Sequence, residues 1–306
     1  MNNKIIITTG DPNGIGAEIT IKALKKLQIP TNNIVLISNK KILDANNWDN
    51  NFEVIEIPYK GSINKGFHSK EAGEFCFQSL KKACELCPKA IVTAPVSKES
   101  LNLAGHHYNG QTEVLEHFLA HDEQKAEMLF TGDRFRVLLL TRHIPLNKVK
   151  LTQDQIISKI VCLQEFFQTK MKITSPRFGL CAINPHAGEN GVIGKEELEI
   201  MIPAVNKLQE LGINVSTPIS ADTLLPNAIK QYLSREPLEY DCYIATYHDQ
   251  GLIPIKAVAQ ENTVNMTIGL DIIRTSPSHG TAFDIAGQNI ASETPMIAAI
   301  KQALEI

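Results

Sequence analysis

Short continuous apolar runs alternate along this chain with longer stretches whose apolar residues recur three or four apart. A continuous run bounded by turn residues reads as a strand buried on both faces, and a three-four spacing reads as an amphipathic helix. The alternation predicts an α/β fold in which helical crossovers join parallel strands. Strands are expected over Ile5–Thr9, Ile34–Ser38, Phe52–Ile57, Ala90–Ala94, Met128–Thr131, Phe135–Thr141, Phe178–Ile183, Val215–Ile219, Cys242–Thr246 and Val264–Ile268. Helices are expected over Gly14–Leu27, Lys70–Leu86, Thr112–Ala120, Thr152–Gln168, Lys195–Leu211 and Pro295–Leu304, with Thr152 and Gln155 at capping-box spacing.

A length of 306 residues is enough for two packed α/β units. No repeat or Gly/Ser linker divides the chain, so two domains have to be joined by chain crossing between them. The net charge of −3 and the scattered Lys and Arg residues offer no basic stripe, which argues against a nucleic-acid partner. No apolar run approaches the ~20 residues of a membrane helix, and the first strand is too brief for a signal-peptide core, so a cytoplasmic protein is expected.

Six cysteines lack a framework spacing and read as reduced core thiols. Cys84 and Cys87 form a lone CxxC at the end of a helix-like segment, a weak signal for redox or zinc chemistry without a second pair.

The position of three histidines is more informative. His143, His186 and His248 each follow the end of a predicted strand. Ligands of parallel α/β sheets bind outside the carboxyl ends of the strands, so these imidazoles can converge on one divalent ion and leave a coordination position for substrate. Taken singly, each reads more readily as a loop histidine satisfied by a backbone carbonyl, and it is their shared context that points to a metal. Around them lie the carboxylates Asp222 and Asp249 and the anion-binding candidates Lys256, Asn265 and Arg274. Gly10-Asp11-Pro12-Asn13-Gly14-Ile15-Gly16 lies between a strand and a helix, but it is neither GxGxxG nor a Walker A loop. It reads as a tight glycine turn or as a contact for cofactor or substrate, through Gly10, Asp11 and Gly14.

These segments, with Thr93 through Lys98, Gly110-Gln111-Thr112-Glu113, Asn184 through Glu189, Ala221 through Leu224, Tyr247 through Leu252, and Arg274 through Ala282, resemble the signature blocks of the 4-hydroxythreonine-4-phosphate dehydrogenase family. The blocks run in order through nearly the whole chain. The resemblance implies two α/β/α domains of the isocitrate/isopropylmalate dehydrogenase type with an interdomain cleft. The expected division is 1–97 plus 265–306 for the first domain and 98–264 for the second. It further implies a homodimer with shared active sites, NAD or NADP as cofactor, and a divalent ion (zinc, magnesium or cobalt) on His143, His186 and His248, the last supplied by the partner subunit. Substrate contacts are implied at Thr112, Lys256, Asn265 and Arg274, and active-site acids at Asp222 and Asp249.

One position departs. The family usually carries histidine where Gln111 stands, and glutamine neither titrates near neutrality nor carries charge. The implied reaction is oxidation of 4-phosphooxy-L-threonine to 2-amino-3-oxo-4-phosphooxybutanoate, which decarboxylates to 3-amino-2-oxopropyl phosphate in pyridoxal 5'-phosphate biosynthesis. Gln111 keeps open a related sugar-acid phosphate, D-threonate or D-erythronate 4-phosphate. A phosphate acyltransferase is the alternative from another class.

Overall fold

The computed structural model describes residues 4–49, 51–122 and 124–306. In chain order its strands are β1 (Ile5–Thr8), β2 (Ile34–Ser38), β3 (Glu53–Glu56), β4 (Ala90–Thr93), β5 (Glu127–Gly132), β6 (Phe135–Leu139), β7 (Arg177–Leu180), β8 (Asn214–Val215), β9 (Cys242–Ala245), β10 (Thr263–Ile268) and β11 (Ile273–Pro277). The helices are α1 (Gly16–Lys26), α2 (Lys40–Asp44), α3 (Lys70–Glu85), α4 (Lys98–Leu103), α5 (Gln111–Leu119), α6 (Gln153–Thr169), α7 (Ile202–Glu210), α8 (Ala221–Leu233), α9 (His248–Ala259) and α10 (Thr294–Glu305).

Two compact units form, one from Met1–Ala126 with Val264–Ile306 and one from Glu127–Thr263. The first boundary therefore lies past α4 and α5, not near residue 97. Val114, Leu115 and Leu119 of α5 are buried in one cluster with Phe75 and Leu80 of α3, which ties that segment to the first unit.

In the first unit the strands run in the order β3-β2-β1-β4-β11-β10, parallel except for the β10–β11 pair. Because successive side chains of a strand point to opposite faces, Ile5 and Ile7 join one core with α1 and α10 while Ile6 joins the other with α3 and α5. Both faces are covered, which is why these strands read as continuous apolar runs. Ser69 starts α3 by accepting the Ala72 N–H at 3.1 Å.

In the second unit the order is β5-β6-β9-β7-β8, with only β5–β6 antiparallel. One face packs Phe135, Val137, Leu139, Tyr243 and Ala245 against Leu224 and Leu225 of α8 and Leu252 and Ile255 of α9. The other carries α6, whose Phe167 meets Phe178 of β7 edge-on at 5.6 Å. Thr152 caps α6 by accepting the Gln155 N–H at 3.2 Å, as the spacing predicts.

Several elements differ from the sequence reading. The eighth strand shrinks to Asn214–Val215, with Ile219 making only an isolated bridge to Cys181. β11 was not expected, nor were α8 and α9, which contain Pro226 and Pro254. A proline inside a helix removes a donor and signals a break, and here tertiary packing overrides that signal. The CxxC ends α3 as expected: Cys84 is buried and its thiol is pushed up to about 12, the opposite of a reactive thiolate. Cys76, Cys181 and Cys242 are buried as well, whereas Cys87 is exposed. No helix among the described residues is long and apolar enough to cross a membrane.

Candidate active site

Strands β6, β9 and β7 are neighbours and mutually parallel, so their carboxyl ends emerge along one edge of the second unit. His143, His248 and His186 follow those three ends. The ends are tied to one another. Thr141, past β6, donates its hydroxyl to the Thr246 carbonyl at 2.7 Å. Gln250 accepts the Thr246 N–H at 2.7 Å and donates Nε2 to the Ala182 carbonyl at 2.9 Å. A buried ion pair of Glu127 with Lys159, joined at 3.6 Å by Arg142, anchors the residue next to His143.

The rings of His143 and His248 stand 5.3 Å apart, centroid to centroid, within a single chain. His248 is the first residue of α9, and its Nδ1 lies 2.7 Å from Asp249 Oδ1. Donation of Nδ1–H to that carboxylate selects the tautomer whose Nε2 carries the lone pair, the form that ligates a metal. The donor chemistry thus fits a divalent ion at His143 and His248. His186 is exposed on the adjoining strand end, and among the described residues no group of three His, Cys, Asp or Glu side chains is gathered as a metal centre. Asp222 opens α8 and accepts the Ser220 hydroxyl at 2.5 Å, and α8 contacts the Pro185–Gly191 turn that carries His186. Lys256 is exposed on α9.

The first unit contributes a separate polar corner. Arg274 on β11 is 3% exposed; its Nε donates to Thr93 Oγ1 at 2.7 Å and its Nη1 to Thr267 Oγ1 at 3.5 Å. Burial pushes the guanidinium down to about 9, opposed by Glu113, so it remains a cation at neutral pH. Thr112 is buried at the start of α5, whose N-terminus has no side-chain cap. Gln111 donates Nε2 to the Ala94 carbonyl at 3.2 Å, and its Oε1 is buried without a partner, as is Oδ1 of Asn265. Buried acceptors left unpaired are costly, so these two oxygens are candidates for a ligand's donors.

Gly10, Asp11 and Gly14 are buried in a packed turn. Gly10 has φ +71°, and a Cβ there would sit 2.3 Å from the Pro95 carbonyl oxygen. Asp11 Oδ1 accepts the Asn13 N–H at 2.9 Å, and Asn13 in turn accepts the Asn64 N–H at 2.8 Å. Further bonds tie the turn to neighbouring segments, with Asp11 N–H donating to the Pro95 carbonyl at 2.9 Å and Ile15 N–H to the Thr281 carbonyl at 3.1 Å, while Asp11 Oδ2 is buried without a partner.

Residues 2–303 match the family model described as pyridoxal phosphate biosynthetic protein PdxA. The chain belongs to that family. A 4-hydroxythreonine-4-phosphate dehydrogenase of Sulfurihydrogenibium sp. is 36% identical, covering 98% of this chain and 97% of the relative. A D-threonate 4-phosphate dehydrogenase of Salmonella typhimurium is 35% identical over 99% of this chain and 98% of its own length. Among solved structures, a 4-hydroxythreonine-4-phosphate dehydrogenase from Klebsiella pneumoniae superposes with a TM-score of 0.86 at 33% identity, covering 99% of each chain. A beta-decarboxylating dehydrogenase from Thermococcus kodakarensis, with a TM-score of 0.56 at 16% identity, covers 98% of this chain and 82% of its own, and shows the same fold alone. The α/β fold of the isocitrate dehydrogenase type that the motifs implied is therefore the fold of this PdxA family member.

Within the family frame, the sequence had named the histidines and Arg274 but not what holds them. Thr93, Thr141, Thr246, Gln250, Glu127 and Glu197 emerge only from the structure. Thr93 and Gln250 left a trace, as parts of the blocks Thr93 through Lys98 and Tyr247 through Leu252.

Proposed function

We propose that this chain oxidises 4-phosphooxy-L-threonine with NAD or NADP, giving 2-amino-3-oxo-4-phosphooxybutanoate, which loses carbon dioxide to form 3-amino-2-oxopropyl phosphate. The observation that carries the reading is the pairing of His143 with His248 at a parallel strand edge, with Asp249 on Nδ1 of His248. His186, on the adjoining strand end, is assigned as the third ligand of a zinc, magnesium or cobalt ion. Such an ion would supply Lewis-acid stabilisation of negative charge on the substrate's oxygen, and NAD or NADP would supply the hydride acceptor.

The chain's own residues bind, orient and move the proton. Arg274 and Thr112 receive the phosphate, for which a buried, planar guanidinium and a helix N-terminus are suited. Asn265 and Gln111 present their unpaired oxygens to substrate donors. Lys256 supplies a second cation for an anionic group. Asp249 orients His248 through its Oδ1, and Asp222 or Asp249 accepts the hydroxyl proton. Gly10, Asp11 and Gly14 serve the cofactor by keeping the shape of their turn. A homodimer is proposed because Ile144, Leu146, Val192, Ile193 and Ile253, which flank the three histidines, are exposed large apolar residues. A cytoplasmic location goes with this reading.

The family match displaces the acyltransferase alternative. D-threonate 4-phosphate remains the second reading, favoured by the unpaired Gln111 Oε1. The deciding experiment strips the protein of metal and follows reduced nicotinamide with each substrate as zinc, cobalt or magnesium is restored. Metal-dependent turnover of 4-phosphooxy-L-threonine supports the first reading. Turnover confined to D-threonate or D-erythronate 4-phosphate supports the second, and no turnover with either defeats both.

A further inference from the structure

His186 opens a run of five residues, His186, Ala187, Gly188, Glu189 and Asn190, whose φ values of 52, 52, 76, 44 and 55° are all left-handed. Four of the five are not glycine. Crowding between Cβ and the carbonyl oxygen drives L-residues out of this region, so such a run persists only where its surroundings hold it.

Glu197 meets that requirement. It is 1% exposed, and its Oε1 accepts the N–H groups of Ile183 at 2.9 Å and Asn184 at 2.8 Å, while Oε2 accepts Asn184 Nδ2 at 2.9 Å. Among the described residues it has no ion-pair partner, so its charge is spent on the chain leading into the turn. The turn is fitted against it without spare room: a Cβ on Gly188 would lie 2.7 Å from Glu197 Oε2 and 2.7 Å from the Gly194 carbonyl oxygen. Ile193 N–H closes the turn onto the Gly188 carbonyl at 3.1 Å. Glu197 itself begins a π-helical turn, Glu197–Met201, a local departure from α-helical geometry that occurs often at functional sites.

We propose that Glu197 is a positioning residue, which fixes the left-handed His186 turn and thereby sets where that imidazole points and how tightly the histidine site holds its divalent ion. The proposal rests on the reading of His186 as a metal ligand. Glutamine at 197 keeps the Oε1 acceptor but turns an NH2 group onto the NH2 of Asn184, which opposes two donors and displaces the turn.

The test titrates metal-free protein with Co2+, whose visible absorption reports nitrogen ligands and their geometry, and measures the melting temperature of each metal-free form. Wild type is expected to bind, and His186→Ala to lose both affinity and the wild-type spectrum. Glu197→Gln is expected to bind Co2+ about 10- to 100-fold more weakly with an altered band, the range seen when groups supporting a metal ligand are removed. Gly188→Ala attacks the same contact from the other side and is expected to do likewise, so it carries the test should the glutamine variant not fold. Wild-type affinity and spectrum in a folded Glu197→Gln or Gly188→Ala protein, with only the melting temperature lowered, overturns the proposal and leaves the His186 assignment standing. Undiminished Co2+ binding in His186→Ala, or none in wild type, overturns the assignment and the inference with it.

Discussion

Arg274 donates its Nε proton to Thr93 Oγ1 at 2.7 Å across the β4–β11 pair, so a fully buried guanidinium is held by a neutral hydroxyl. Charges taken out of water are normally paired, because the desolvation cost of an uncompensated ion is several kcal/mol. Glu113 offsets part of that cost electrostatically, but the direct hydrogen bonds go to Thr93 and Thr267. The two hydroxyls orient the fork without neutralising its charge.

Phosphate or a phosphorylated substrate should therefore stabilise the folded protein. At a ligand concentration of 100 Kd the gain is about 2.7 kcal/mol, read as a rise in melting temperature. Arg274→Ala should lose that response and raise KM for the phosphorylated substrate far more than for an unphosphorylated analogue. An equal loss on both substrates would remove Arg274 from the phosphate.

Asp11 gives a pH prediction. Burial raises its carboxyl above the ordinary 3.8, against the lowering effects of the Asn13 N–H, Ser100, His68 and Lys65. Between 3.8 and the raised value the folded protein keeps a proton that the unfolded chain has released, so stability falls as pH rises through that window and stays reduced above it. Asp11→Asn preserves the acceptor for the Asn13 N–H and cannot ionise. Its stability relative to wild type should grow as pH rises above 3.8 and level off beyond the raised value; denaturant midpoints that differ by a constant amount as pH rises would count against ionisation of the folded carboxyl.

Gln111 is oriented by its own hydrogen bond. Its Nε2 faces the Ala94 carbonyl, so the atom left for a ligand is an acceptor. An acceptor favours a donor such as a hydroxyl and opposes a phosphate dianion, whereas a protonated histidine does the reverse. Because both candidate substrates carry the phosphate, Gln111→His should raise kcat/KM for each of them as pH falls toward about 6.5. Rates of the variant and of wild type across that pH range check it, and identical pH profiles would remove Gln111 from the phosphate.

The buried pair of Glu127 with Lys159 should behave as a structural lock under His143. Burial lowers the Lys159 ammonium and Glu127 opposes that shift. Glu127→Gln leaves a buried ammonium without its carboxylate and is expected to cost about 3–5 kcal/mol in denaturant unfolding. Replacing both residues by Met should recover most of this loss, since two well-packed apolar groups bury no charge. A double variant as unstable as the single one would show that the pair does more than neutralise itself.

The hydrophobic pattern of this sequence determined most of the strands and the larger helices, because burial on both faces of a parallel sheet imposes continuous apolar runs that are visible locally. It also placed three histidines after three strands. That β6, β9 and β7 lie side by side, so that His143 and His248 meet, is a matter of strand order, which depends on contacts distant in sequence. α8 and α9 each contain a proline, a local break signal that packing against β6 and β9 overrules. The left-handed path of His186 through Asn190 has no local signature beyond Gly188, since it depends on a carboxylate from residue 197. Likewise the sequence names Arg274 as an anion-binding candidate, but only the β4–β11 pairing buries it. Residue types and periodicity are properties of the chain, and they determined the class of fold and the chemistry at hand. Which groups are desolvated and which face one another is decided by the packed structure, because both depend on neighbours brought in from far along the chain.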